Sequence, residues 1–79
     1  MTNQVQMTAT LGADIRALRK ARGLTLSEVA ILLNRSVGWM SQVERDLSEP
    51  SISDLRQIAQ ALGVPMSVLF AHREAPGAE

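Results

Sequence analysis

The sequence predicts an all-α domain built from five short helices. Its 79 residues are 46% hydrophobic but only 3% aromatic, so one modest core of aliphatic side chains is expected. Apolar residues recur at the three- and four-residue spacing of a helix, and no strand-like alternation is sustained. Residues that start and stop helices separate these apolar stretches. The domain is expected over residues 10–70, between a flexible lead-in over residues 1–9 and a tail or linker over residues 71–79.

The first two predicted helices have clear boundaries. Helix 1 is expected over residues 10–22, with Gly23 in the left-handed conformation that closes a helix. Thr25 and Glu28 form the capping-box pattern that starts helix 2. Asn34 is expected to end helix 2, because asparagine tolerates a left-handed backbone. The predicted inner faces of the two helices consist of Leu11, Ile15, Leu18, Leu26, Val29, Ala30 and Leu33.

Three further helices are expected along the rest of the domain. Ser36 is the predicted N-cap of helix 3, which ends near Arg45. Pro50 then breaks the chain, because the residue before a proline avoids the helical conformation. Helix 4 is predicted over residues 51–63, and a short helix 5 begins at Pro65. The predicted inner faces are Met40, Val43 and Leu47 on helix 3, Ile52, Leu55, Ile58, Ala59 and Leu62 on helix 4, and Met66, Leu69 and Phe70 on helix 5.

The composition argues against several classes of function. The chain has no Cys, and its one His, His72, lies in the tail, so neither disulfides nor a metal site is expected. No nucleophilic catalytic set and no glycine-rich phosphate loop is visible, so we expect no enzyme and no cofactor. The sequence shows neither a long apolar run nor a secretory pattern. We therefore expect a cytoplasmic protein that does not bind membranes.

The charge of the chain is balanced, with 8 Lys+Arg and 8 Asp+Glu. Such neutrality is not typical of nucleic-acid binders, which are usually basic. The distribution is uneven, however, because residues 1–23 carry four basic residues against one acidic residue. Two of the acidic residues further along, Glu28 and Asp54, are predicted to cap helices. The neutrality therefore does not exclude a nucleic-acid site, but it predicts weak non-specific binding.

Helices 2 and 3 have the spacing of a helix-turn-helix over about residues 25–45, in which the second helix enters the DNA major groove. At about 100° per residue, one arc of helix 3 carries small and polar side chains opposite its apolar face. The candidate base-reading residues on this arc are Val37, Gly38, Ser41 and Gln42. Gln42 suits adenine N6 and N7, Ser41 suits several bases, and Val37 suits the thymine methyl group. From helix geometry alone, a merely solvated face would look the same.

Four separated motifs resemble the Cro/cI-like (Xre-type) helix-turn-helix family. In chain order they are RGLTLSEVA at residues 22–30, SVGWMSQVER at residues 36–45, Pro50-Ser51, and IAQALGV at residues 58–64. The resemblance implies a five-helix, lambda-repressor-like DNA-binding domain of a transcriptional regulator. It also implies a homodimer on a pseudo-palindromic operator in double-stranded DNA. The motifs over residues 36–51 look most like the branch in which a cupin sensor domain follows, which implies a missing C-terminal sensor domain.

Phosphate contacts are expected beside the reading helix, at helix N-termini and in the adjoining loops. The candidate phosphate-binding residues are Ser27, Arg35, Ser36, Arg45 and Ser48. Three positions depart from the family pattern. Leu26 replaces a frequent glutamine, Arg35 replaces an apolar turn residue, and Asp46 replaces a glycine that often follows Glu-Arg.

Two further expectations concern structure and assembly. By the resemblance, Arg19 forms a structural ion pair with Glu44, which adjoins the inner face of helix 3. The apolar residues Val64, Met66, Leu69 and Phe70 either cap the core or form a dimer surface. The alternative function is a protein–protein interaction module of the same fold, similar to antitoxin-like or coactivator-like relatives.

Overall fold

The computed structural model describes residues 10–69, which form an all-α bundle. Its helices are α1 (Leu11–Ala21), α2 (Leu26–Leu33), α3 (Val37–Glu44), α4 (Ile52–Leu62) and a fifth helical segment, α5, at residues 66–69. No strand occurs among the described residues. The predicted five-helix, all-α architecture is confirmed. The predicted lead-in, the predicted tail and Phe70 lie outside the described residues.

The helix starts are set by local hydrogen bonds. Each of α1 to α4 follows a serine or threonine whose side-chain oxygen accepts the backbone N–H three residues on. These residues are Thr10, Thr25, Ser36 and Ser51. At α2 and α4 the carboxylates of Glu28 and Asp54 accept the N–H of the cap residue in return, which completes two capping boxes. The predicted caps of helices 2, 3 and 4 are therefore confirmed.

The helix ends also follow the sequence. Asn34 and Gly63 close α2 and α4 in the left-handed conformation, with φ of 58° and 70°. Gly23, at φ 72°, follows α1. Because these residues tolerate positive φ, the chain reverses within a few residues and packs each short helix on its neighbours. Helix α3 packs mainly on α1 and α2, and α2 packs on α4.

One aliphatic core joins the helices. Its members are Ile15, Val29, Ala30, Leu33, Met40, Val43, Leu55, Ile58, Ala59, Leu62 and Leu69. Two predicted core positions are wrong, because Leu47 is 63% exposed and Ile52 is 53% exposed. Helix α3 ends at Glu44 and the chain turns through Asp46 at φ 61°, so the helical register no longer directs Leu47 inward. Ile52 is the first residue of α4, one turn before the buried part of that helix.

The structure bears on the two roles expected for Val64, Met66 and Leu69, which were to cap the core or to form a dimer surface. Leu69 is completely buried and belongs to the core, so it does not contribute to a surface for a second copy. Val64 and Met66 are half-buried and pack against the core. Among the described residues of the predicted dimer surface, only Val64 and Met66 therefore keep exposed area that a partner can contact.

The start of α1 lies directly against the end of α3. The Gly12 N–H donates to Asp46 Oδ1 at 3.0 Å. A Cβ at Gly12 would lie 2.5 Å from the carbonyl oxygen of Val43 and 2.6 Å from that of Glu44. Only glycine allows this approach, which fixes the C-terminal end of α3 relative to α1. Across residues 10–69, none of the helices has the length and hydrophobicity of a membrane span.

Candidate nucleic-acid interface

Helix α3 has one buried side and one open side. Met40, Val43 and Glu44 are buried. Val37, Gly38 and Gln42 are exposed, and Ser41 is half-buried. Because residues four apart on a helix are neighbours, Val37 lies beside Ser41 and Gly38 lies beside Gln42. The four predicted base-reading residues therefore lie together on the outer side of α3, although Ser41 is less open than the others.

The first turn of α3 is capped and sterically open. Ser36 Oγ accepts the N–H of Trp39 at 3.0 Å. A Cβ built at Gly38 would meet only this hydroxyl, at 4.0 Å. The remaining N–H groups of the first turn carry the positive end of the helix dipole and attract anions. The start of α3 can therefore approach an anionic surface closely.

The predicted phosphate-binding residues have different environments. Ser27, Ser36 and Arg45 are exposed, and Ser48 is half-buried in the loop between α3 and α4. Ser27 lies in the first turn of α2, where the helix dipole again favours an anion. Four of the five predicted residues thus lie at helix starts or beside the end of α3. The fifth, Arg35, has contacts of its own.

Arg35 makes two contacts within the domain that the sequence reasoning missed. Its Nη1 donates to Asp54 Oδ1 at 2.9 Å. Its Cζ lies 3.8 Å from the centroid of the Trp39 ring, which is cation–π geometry. The pKa of Asp54 lies below its ordinary value of 3.8, chiefly because the Ser51 N–H donates to the carboxylate, and the Ser51 hydroxyl and Arg35 add to this. Asp54 lies nineteen positions away from Arg35, so local pattern could not reveal that contact.

Arg19 and Glu44 form a bidentate ion pair in the interior. Arg19 Nε donates to Glu44 Oε2 at 2.7 Å, and Nη2 donates to Oε1 at 3.0 Å. Arg19 Nη1 also donates to the Leu24 carbonyl at 2.7 Å. The two charged side chains are only 8% and 3% exposed. The hydrogen bonds to Glu44 raise the pKa of Arg19 above its usual range. The pair ties α1 to α3 and leaves Arg19 unavailable to an external ligand.

Asp46 occupies a backbone position that favours glycine. Its φ is 61°, and its carboxylate accepts the N–H of Gly12. Aspartate adopts this left-handed conformation more readily than most non-glycine residues, and here its side chain accepts from a residue of α1. The departure from the family pattern at Asp46 is therefore compatible with the fold, and its carboxylate is hydrogen-bonded to α1.

Two short helices joined by a three-residue turn, the second with an open face of small and polar side chains, define a helix-turn-helix domain. The chain belongs to the helix-turn-helix domain family, because a family model of that description matches residues 10–72. The predicted resemblance to Cro/cI-like helix-turn-helix proteins is confirmed at this level.

Several similar proteins are named as regulators. The chain is 40% identical over 60 residues to the immunity repressor protein of Bacillus phage phi105, covering 76% of this chain and 42% of the relative. It is 39% identical over 60 residues to the transcriptional regulator ClgR of Mycobacterium tuberculosis, covering 76% and 54%. The chain thus spans about half the length of these curated relatives. The structure of SinR, a master regulator for biofilm formation, in complex with DNA superposes with a TM-score of 0.72 at 32% identity, covering 77% of this chain and 98% of that one.

Proposed function

We propose that this chain is the DNA-binding domain of a transcriptional regulator and that α3 reads base edges in the major groove. The observation that carries the proposal is the two-sided character of α3. Its buried side fixes it to α1 and α2, and its open side presents Val37, Gly38 and Gln42 at helical spacing. A relative named as a repressor and a similar structure that contains DNA support the same function.

The open side of α3 offers complementary chemistry for bases. The Gln42 amide suits the paired donor and acceptor of adenine, and the exposed methyl groups of Val37 suit thymine. The Ser41 hydroxyl can donate or accept at several bases, although its partial burial limits its reach. Gly38 lets the backbone of the first turn approach the groove floor. The side chains of Val37, Ser41 and Gln42, together with the close backbone approach at Gly38, supply the proposed sequence preference.

Phosphate contacts supply most of the proposed affinity. Ser27 and Ser36 lie at the starts of α2 and α3, where the positive end of each helix dipole favours an anion. Arg45 and Ser48 lie at and beyond the end of α3. Because the chain has no net positive charge, the phosphate contacts per domain are few and non-specific binding is weak.

Because each domain is proposed to bind DNA only modestly, we propose that two copies bind together. We expect a homodimer in the cytoplasm that acts by binding, not catalysis, on a pseudo-palindromic operator. Its half-sites should lie about one helical turn, ~34–36 Å, apart. Val64 and Met66 are the described residues proposed for the dimer contact, and Phe70, which lies outside the described residues, belongs to the same proposal. The proposed C-terminal sensor domain of cupin type rests on the motif resemblance in residues 36–51.

The direct test is a substitution of Gln42 measured on operator and random DNA. Gln42→Ala should cost about 1–3 kcal/mol of discrimination at one base pair and leave the salt dependence unchanged. Gln57→Ala is the matched control, because Gln57 is an exposed helical glutamine on α4. If Gln42→Ala weakens operator and random DNA equally, the base-reading role is wrong.

A further inference from the structure

The turn between α2 and α3 is joined to the start of α4 by three side chains, which we call the Arg35 cluster: Arg35, Trp39 and Asp54. The Arg35 guanidinium lies over the Trp39 ring and also donates to the Asp54 carboxylate. Asp54 is itself held, because its second oxygen accepts the Ser51 N–H at 3.0 Å. Trp39 is half-buried and packs against the core. The cluster therefore links the beginning of α3 to the capped beginning of α4.

The Arg35 cluster contacts the first turn of α3, which packs little against the rest of the domain. Ser36, Val37 and Gly38 are exposed, and the first fully buried residue of the helix is Met40. Helix α3 packs mainly on α1 and α2, so the side chain of Arg35 adds a separate connection to α4. The same exposed first turn carries two of the proposed base-reading residues. Its orientation is therefore sensitive to the Arg35 cluster.

We propose that Arg35 is a positioning residue that orients the first turn of α3 for base reading, and that it is not a phosphate ligand. The inference rests on the proposed DNA-binding function. The guanidinium already donates an N–H to Asp54 and places one face on the Trp39 ring, so a phosphate would compete with both contacts. The carboxylate 2.9 Å away also neutralises its charge locally, which reduces its attraction for DNA. Arg35 thus acts through Trp39 and Asp54.

The two roles predict opposite results for Asp54. If Arg35 positions α3, Arg35→Gln and Asp54→Asn disrupt the same cluster and have similar effects. If Arg35 binds phosphate, Asp54→Asn frees a cation and removes a negative charge, so it strengthens binding. The double variant R35Q/D54N has the net charge of the wild type, so any loss it shows does not come from a change in the net charge of the domain. Arg56→Gln is the matched control, because Arg56 is an exposed arginine on α4.

The experiment measures binding to a selected operator and to random DNA over a range of salt, after circular dichroism has verified that each variant folds. We expect R35Q, D54N and the double variant each to lower the operator-to-random ratio about fivefold, as expected for loss of one exposed ion pair and cation–π contact. The slope of log K against log salt should stay that of the wild type. In the protein without DNA, acrylamide quenching of Trp39 fluorescence should rise in all three variants. R56Q should change neither the ratio nor the quenching.

Three results would overturn the positioning role. The first is a slope of log K against log salt that is less steep by about 0.9 in R35Q, as for a lost phosphate contact, together with tighter DNA binding in D54N. The second is an unchanged operator-to-random ratio in R35Q, whatever the fluorescence shows. The third is unchanged Trp39 quenching in both single variants. A wild type that selects no DNA sequence would instead refute the proposed function, and the positioning role would fall with it.

Discussion

Substitution of Arg19 by alanine should destabilise the domain strongly. The Arg19 guanidinium makes three hydrogen bonds, two to the Glu44 carboxylate and one to the Leu24 carbonyl. Alanine removes all three and leaves the Glu44 carboxylate, whose side chain is 3% exposed, without its cation. The perturbation is therefore an uncompensated buried charge between α1 and α3.

The size of the effect follows from this burial. Removal of one partner of a buried pair typically costs about 3–5 kcal/mol, because the remaining charge stays desolvated. A protein of 79 residues is stable by about 4–12 kcal/mol, at about 0.05–0.15 kcal/mol per residue. Arg19→Ala should therefore remove a large share of the free energy of unfolding. Replacement of both partners, in R19M/E44L, should recover most of the loss because no charge remains buried.

Urea denaturation followed by far-ultraviolet circular dichroism measures these free energies. Arg16→Ala is the control, because Arg16 is exposed on the same helix and its loss should change stability by less than about 0.5 kcal/mol. If Arg19→Ala keeps the stability of the Arg16→Ala control, the structural assignment of the pair is wrong. If it keeps stability and loses DNA binding, Arg19 belongs to the interface instead.

Three further predictions concern stability. Gly12→Ala should cost about 1–3 kcal/mol, because its Cβ would lie 2.5 Å from the Val43 carbonyl oxygen; an unchanged melting temperature would contradict the close contact. Gly38→Ala should stabilise the fold by about 0.5–1 kcal/mol, because the position is helical and open, yet weaken operator binding; parallel melts and binding isotherms check both effects. Because folding lowers the pKa of Asp54, the ionised carboxylate contributes fully to the free energy of unfolding above the ordinary pKa of 3.8, and this contribution is lost as pH falls through the folded pKa. Urea titrations in that acidic range should show that Asp54→Asn loses less stability with falling pH than the wild type does.

The helices were predictable because their boundaries depend on neighbouring residues. The Thr25–Glu28 pattern specifies a capping box within four residues, and the structure contains both of its hydrogen bonds. Asn34 specifies a left-handed turn by its own side chain. Local information of this kind placed the helix-turn-helix and therefore the outer side of α3.

Features that depend on distant residues were not predictable from pattern. Leu47 continues the apolar spacing of α3, but the helix ends three residues earlier, so periodicity gave the wrong burial. Arg35 has the charge and the hydrogen-bond donors of a phosphate ligand. Its contact with Asp54 forms only when α4 packs beside the turn. The need for glycine at residue 12 likewise appears only when α1 meets the end of α3.

Selection of bound sequences from a random pool of double-stranded DNA tests the central claim most directly. The selection should use the wild type and Gln42→Ala in parallel, with footprinting of the enriched sequence. The wild type should enrich a pseudo-palindrome with half-sites about one helical turn apart, and Gln42→Ala should lose preference at one base pair of each half-site. Failure of the dimer to enrich any sequence over the random pool would contradict DNA reading by α3 and favour a protein–protein interaction module of the same fold.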